Sequence, residues 1–234
     1  MADWNKFSQR FDDIFLEDPL YLEILKRMVD GLGPEDKDIL DLGCGTGNLI
    51  ERILIKVPEA HVAAVDPSQG MRDLCAERFD RSPQVSISDG DALAIPFPDA
   101  SFDAVVSSLA LHHVAPDLKG ECAREIARVL KPRGKFIHAD PFSGVPGRKE
   151  DPARCRDIIE KIAAKALFSL EQGAYRMMLA ELGSIVPTVT EDGEYWITVP
   201  QWLQSLGSAG FCDFKVLDLP PVEITKIVCA TRTN

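Results

Sequence analysis

Apolar positions along the chain follow two alternating rhythms. Short apolar, often β-branched runs lie at 38–42 (DILDL), 61–66 (HVAAVD), 84–88 (QVSIS), 102–108 (FDAVVSS), 134–140 (GKFIHAD), 214–219 (FKVLDL) and 223–231 (EITKIVCAT). Runs of this length and composition read as strands. Between most of them, apolar residues recur three or four apart. Leu49, Ile53 and Val57 form one helical stripe, flanked by Ile50 and Leu54; Leu118, Cys122, Ile126 and Leu130 form another, which Pro132 ends. Thr198 and Gln201 have the spacing of a capping box, and Gly210 is placed to end the helix they open. Strands alternating with helices predict an α/β domain with a mostly parallel sheet covered on both faces. Only Pro220, Pro221 and Val222 join the last two runs, too little chain for a crossover helix, so they form a hairpin and an antiparallel edge.

Segment 141–197 breaks the rhythm. It opens as a loop, continues as a helical stretch near 152–182 with Gly173 inside it, and closes on TVTEDGEYW. It reads as an insertion that caps the sheet. Residues 1–30 read as an amphipathic helical preface. The organisation is thus one domain over 1–234: an N-terminal cap at 1–30, a core at 38–140, the cap insertion at 141–197, and a C-terminal helix and strands at 198–234.

Composition narrows the function classes. The net charge of −11 opposes binding to a phosphate backbone, and the basic groupings Lys131/Arg133/Lys135 and Arg148/Lys149 are short. No run approaches the roughly 18 apolar residues of a membrane span. The N-terminus lacks a basic stretch followed by an apolar one, so no secretory signal is read there. Six cysteines occur without a CxxC pair, which fits reduced thiols and a cytoplasmic location.

The most informative stretch is ILDLGCGTGNL at 39–49. A strand ends near Asp41, and Gly43, Gly45 and Gly47 follow at alternate positions before a helix. Glycines there permit positive φ and let a ligand lie against bare backbone beside a helix N-terminus. A dinucleotide fingerprint wants glycine where this chain has Asn48. The stretch instead resembles the first motif of the class I S-adenosylmethionine-dependent methyltransferases. Further motifs of that family follow in order: Asp66 in VAAVDPSQGM, Asp91 in SDGDALAIPFPDASFDAV, and VLKPRGKFIHAD. The resemblance covers about 60% of the chain and leaves out the insertion and the first thirty residues.

It implies a Rossmann-like seven-stranded fold, S-adenosylmethionine as cofactor and S-adenosylhomocysteine as product. Asp66 would take the ribose hydroxyls, the plainer alternative being a helix cap that Ser68 also offers. Asp91, with the backbone of Ala92 beside it, would meet the adenine amine. Asp41, Gly43, Cys44, Gly45, Gly47, Asn48, Pro67, Met71, Ser108 and Leu109 complete the implied cofactor set. Phe11, followed by Asp12, stands where the family places an aromatic–Asp pair near the methionine end, with Phe where many relatives have Tyr.

Methyl transfer from a sulfonium asks mainly for positioning, and for a base only if the acceptor must lose a proton. His112 and His113, in the loop after the fourth strand, are candidates for that base or are simply packed. Asp140, ending the fifth strand, either orients an acceptor or makes a salt bridge. No metal site is read from His112, His113 and Asp140, because no further spaced ligands appear. Trp4, Phe7, Phe142, Tyr175, Met178, Tyr195 and Trp196 are candidate acceptor-pocket residues, with core packing as the alternative. The expected partner is a small organic molecule, and the expected state is monomer or homodimer. The rival readings are a methyltransferase acting on RNA or protein, a cofactor-sensing module without catalysis, and a nicotinamide-dependent dehydrogenase of the same fold grammar.

Overall fold

The computed structural model describes residues 4–234, apart from the side chain of Lys6. Seven strands form one sheet in the order β3-β2-β1-β4-β5-β7-β6. They span Asp38–Leu42 (β1), His61–Asp66 (β2), Val85–Asp89 (β3), Phe102–Ser108 (β4), Leu130–Pro141 (β5), Phe211–Asp218 (β6) and Thr225–Arg232 (β7). Neighbours from β3 through β5 pair in parallel, while β7 is antiparallel to both β5 and β6. The terminal hairpin therefore forms as the pattern predicts, with one refinement: β7 lies inside the sheet and β6 takes the edge. Burial explains the order. Ile227, Val228 and Ala230 of β7 are buried, whereas most of β6 is exposed and carries Asp213, Lys215 and Asp218, charges that suit an edge.

Alternate strand residues feed two cores. Ile39, Val62, Ala64, Ile137 and Ala139 face the layer built from α2 (Pro19–Val29), α3 (Asn48–Lys56) and α4 (Gln69–Arg78). Leu40, Leu42, Val65, Val105 and Phe136 face α5 (Lys119–Val129) and α8 (Val199–Ser208). Asp18 caps α2, Ser68 caps α4, and Thr198 with Gln201 closes a reciprocal capping box on α8. The preface is two helices, α1 (Trp4–Phe15) and α2.

The insertion differs from the single helical stretch expected of it. It is a helical hairpin of α6 (Pro152–Glu171) and α7 (Tyr175–Thr190). Gly173 has φ +78° and breaks the helix there, a left-handed position that glycine takes at least cost. Helix α7 then runs past 182 to Thr190 before the chain returns along 191–197 towards the sheet.

Candidate active site

Strand β1 pairs with β2 on one side and β4 on the other, so the carboxyl end of β1 is where chain connectivity reverses. Ligands of open α/β sheets bind in the crevice at that point. The glycine loop starts there. The amides of Gly43 and Cys44 both donate to Val65 O, at 2.7 and 3.0 Å, which ties the loop to β2. A Cβ at Gly43 would stand 2.3 Å from the Ala110 Cβ, and one at Gly47 would stand 2.6 Å from the Phe79 ring. Gly45 is different: its φ is +53°, and a Cβ there would meet nothing within 4 Å. Two glycines serve close packing, and the third leaves a cradle open.

That cradle belongs to a cavity lined by Phe11, Tyr21, Asp41, Gly43, Cys44, Gly45, Thr46, Asn48, Leu49 and Ser108. Two buried oxygens in its wall, Asp41 Oδ2 and Ser108 Oγ, have no hydrogen-bond partner among the described residues. Burial, and then the charge of Asp66, pushes the Asp41 carboxyl up to about 8. Asp66 accepts from Gly45 N at 2.9 Å and from Ser68 N at 2.8 Å, so it braces the glycine loop while Ser68 caps α4. Burial raises the Asp66 carboxyl despite those two amides and Arg72. Asp91 follows β3; its Oδ1 accepts from Leu93 N and Ala94 N at 2.8 and 3.0 Å. The carboxylates thus stand at the ends of three adjacent strands, as the sequence implied. Met71 is buried in the first turn of α4 and Pro67 is exposed just before it; Ala92 is buried beside Asp91. Leu109 sits at φ +53° with its amide on Ala139 O, which turns the chain sharply after Ser108.

Helix α1 lies across this end of the sheet and is clasped at both ends. Asn5 Oδ1 accepts from Gly70 N and Ser68 Oγ at 2.9 and 3.0 Å. Asp12 accepts from Thr46 Oγ1 at 2.6 Å and Asn48 Nδ2 at 2.9 Å, and pairs with Arg78. Along α1, Trp4, Phe7, Phe11 and Phe15 form a ladder of ring contacts that continues to Tyr21. Phe11 reaches the glycine-loop cavity, Trp4 lies against the His113 ring at 5.1 Å, and Phe7 packs between them with Ile14 and Met177. Tyr21 brings a hydroxyl into the wall where Phe11 has none, with Asn48 Nδ2 3.4 Å away.

The second half of the site surrounds the two histidines. His112 Nδ1 lies 2.6 Å from Asp140 Oδ1, and His138 Nε2 lies 2.8 Å from Asp140 Oδ2. A carboxylate only accepts, so each nitrogen carries the proton. Burial would raise Asp140, but the two imidazoles outweigh it and hold the carboxyl far below its usual range. On the other side, His112 Nε2 is 3.4 Å from Glu194 Oε2. Burial lowers His112, but Asp140 and Glu194 outweigh it and leave its pKa raised. Glu194 is itself raised by burial, against the pull of His112. His113 is the opposite case: burial and the neighbouring His112 charge lower it to about 3. Its Nδ1 donates to Gly193 O at 2.6 Å, and its Nε2 is buried without a partner. Behind His112, a cavity of about 10 Å³ is walled by Lys119, His138, Phe142, Tyr195 and Trp202.

His112, His113 and Glu194 are close enough together to share one ion. However, His113 turns Nδ1 towards Glu194, at 3.6 Å, and that nitrogen is already engaged with Gly193 O. The trio is an acid–base cluster at ion-pair distances, with the histidine Nδ1 hydrogen bonds going to Asp140 and Gly193 O.

Of the expected acceptor-pocket residues, the structure places Trp4, Phe142 and Tyr195 around the histidines. It does not bring Tyr175 there. That ring is 57% exposed on the outer face of α7, because the break at Gly173 turns the helix to put position 175 outside. Met178 and Trp196 are buried, and Trp196 belongs to the core cluster under α6.

Residues 39–134 match the family model described as a methyltransferase domain. An uncharacterized methyltransferase of Anoxybacillus flavithermus is 35% identical over 135 residues, 57% of this chain and 58% of that protein. Across the matched stretch the chain is similar to methyltransferase domains, in line with its resemblance to the class I S-adenosylmethionine-dependent methyltransferases. A demethylmenaquinone methyltransferase of Symbiobacterium thermophilum is 39% identical over 112 residues, 45% of this chain and 44% of that one. The fold is shared with human N-acetylserotonin methyltransferase bound to S-adenosylmethionine: TM-score 0.66, 18% identity, 99% of this chain and 56% of that one. Phosphoethanolamine N-methyltransferase 2 of Haemonchus contortus gives a TM-score of 0.68 at 16% identity, over 98% of this chain and 58% of that one.

Besides Thr46, Leu49, His138 and Trp202, which line the two cavities, four residues that the sequence reading left out of its site shape it. They are Tyr21, Lys119, Glu194 and the clasping Asp12. Asp12 had a signal, its place next to Phe11. Glu194 had only an acidic loop of ordinary composition. Lys119 is buried, with Nζ on Leu111 O at 2.5 Å and over the Trp202 ring, and no pattern marks it apart from a surface lysine.

Proposed function

We propose that the chain binds S-adenosylmethionine over its glycine loop and transfers the methyl group by in-line displacement to a small organic acceptor beside His112, His113 and Glu194. The observation that carries this is the pair of partnerless buried oxygens, Asp41 Oδ2 and Ser108 Oγ, facing a cradle that Gly45 leaves open. A buried acid without a partner is costly, and a cationic ligand relieves that cost. When bound, the sulfonium supplies an activated methyl and a neutral thioether leaving group.

The protein's share is positioning, water exclusion and proton handling. Asp66 has lone pairs left for ribose hydroxyls, and Asp91 has its second oxygen free for an exocyclic amine. Phe11, Tyr21 and the rest of the α1 ladder wall the site against water. Trp4 extends the same wall to His113, so one aromatic stripe runs from the cofactor cradle to the acceptor side. If the acceptor carries a proton, the bridge between His112 Nε2 and Glu194 Oε2 is placed to take it. Asp140 holds the imbalance of charge on the far side of the imidazole. The apolar and aromatic surroundings support a small organic acceptor over a nucleic acid, as does the net charge of −11.

Calorimetric titration with S-adenosylmethionine and S-adenosylhomocysteine, with NADH as control, tests the reading. Wild type is expected to bind both sulfur ligands at micromolar concentration and to ignore NADH. Asp66→Ala is expected to bind at least tenfold more weakly, about 1.4 kcal/mol. A folded wild-type protein that binds neither sulfur ligand overturns the proposal. An acceptor screen against small amines, phenols, RNA and peptides then decides the acceptor class.

A further inference from the structure

The α6–α7 hairpin carries apolar surface that the rest of the described residues do not cover. On α7, Tyr175, Leu179, Leu182 and Val186 are between 48% and 62% exposed. Their spacing of four, three and four puts them on one stripe, the pattern of a helix–helix seam. The stripe that α7 turns inward is a different one, containing Met177, Met178 and Thr188. Helix α6 repeats the arrangement: Ile159, Leu167 and Leu170 are 39%, 61% and 49% exposed, while Ile158, Ile162 and Ala166 are buried.

The charges of α7 leave the seam clear. Between Tyr175 and Val186 they are Arg176, paired with Glu17, and Glu181, paired with Lys165. Gly183 flanks the stripe, and a Cβ there would meet nothing within 4 Å, so another backbone can approach closely.

We infer that this hairpin is a homodimer interface, with the α7 stripe of one copy packed antiparallel on the same stripe of a second copy across a two-fold axis. The numbering of the stripe supports that occupant. An antiparallel pair about a two-fold sets each residue against one whose number adds to a constant. Tyr175 then meets Val186 and Leu179 meets Leu182, so all four positions are matched by the stripe's own reverse. Area supports it as well. The two stripes expose on the order of 700 Å² together, more than the few hundred Å² a monomer ordinarily shows. Covering the α7 stripes in two copies would remove roughly 800 Å², and the α6 stripes of the same hairpins would bring the total towards roughly 1,400 Å², within the range of specific interfaces.

Sedimentation equilibrium or light scattering on the full chain, from about 1 to 100 μM, tests this. The wild type is expected at twice the 25.8 kDa chain mass at the upper concentrations. Leu179→Glu/Leu182→Glu is expected at one chain mass, with unchanged far-ultraviolet circular dichroism. A wild-type monomer throughout the range overturns the inference. So does a dimer that survives the double substitution. If that variant fails to fold, a Leu179→Cys/Leu182→Cys protein under mild oxidation replaces it. Ready formation of a covalent dimer supports the seam, and its absence at concentrations where the wild type is dimeric overturns it. None of these readouts depends on methyl transfer.

Discussion

At the scale of single residues, Asp41 is where stability and binding pull apart. Its folded-state pKa is near 8 against an ordinary 3.8. The folded chain therefore keeps a proton that the unfolded chain releases, and ligand-free stability falls as pH rises from about 4 to 8. Asp41→Asn is expected to raise the ligand-free melting temperature at pH 8 by a few degrees, about 1 kcal/mol. It should also weaken S-adenosylmethionine binding at least tenfold; calorimetry reads both, and a variant with unchanged affinity removes Asp41 from the site. A cationic ligand draws Asp41 to its ionised form, so binding below pH 8 should release protons. Titration in two buffers of different ionisation enthalpy would show this as unequal apparent heats. His112 gives a second test. Its pKa is raised, so its free-base form grows in only above the ordinary histidine range, and kcat/KM for a proton-bearing acceptor should climb there. Glu194→Gln removes one of the two carboxylates that raise it, so the rising limb should move to lower pH; a limb that stays in place separates Glu194 from the chemistry. The glycine-loop residues and Asp66 were legible because their meaning lies in neighbours within one strand–loop–helix unit. Glu194 was not: it reaches His112 from the far end of an insertion, and its neighbour Gly193 is 80 residues from His113 in sequence.

At the scale of elements, the three glycines separate into different duties. Gly45→Ala is expected to fold, at roughly 1–2 kcal/mol for the left-handed backbone, and to fill the cradle, so that binding falls far more than stability. Gly47→Ala meets the same backbone cost plus the Phe79 ring, so a further loss of about 1–3 kcal/mol is expected and its melting temperature should lie below that of Gly45→Ala. Equal melting temperatures would show that Phe79 yields freely. Helix α1 is held by Asn5 and Asp12 towards its ends and by the packing of Phe7, Phe11, Ile14 and Phe15 between and beyond them. Asp12→Ala should speed hydrogen exchange across Trp4–Phe15 and weaken cofactor binding while α3 and α5 keep their protection. Strand and helix positions followed from the period of apolar residues. The break between α6 and α7 did not, because apolar spacing continues through Gly173 and only its positive φ turns the chain.

At the scale of the whole molecule, the cap is fixed to the core through charge. Lys165 of α6 is nearly buried and meets Asp18 at 3.1 Å and Glu181 at 2.6 Å, joining the α1–α2 turn, α6 and α7. Lys165→Met leaves the buried Asp18 and the partly buried Glu181 without a cation, and a loss of about 3–5 kcal/mol is expected in denaturant unfolding; a loss below 1 kcal/mol would place the hold of the cap in its apolar contacts instead. By itself the sequence determined the alternation of strands and helices, the parallel core, the glycine loop and the acids at successive strand ends. Each of these is written in short-range periodicity or in a local motif, where backbone geometry leaves few choices. Only the tertiary structure decided that β7 lies inside the sheet, that α1 closes over the cradle and that Tyr175 faces outward. It alone brought Glu194 and Lys119 to the histidines. Those outcomes depend on which distant surfaces bury each other, and burial between distant segments leaves no periodic trace along a single chain.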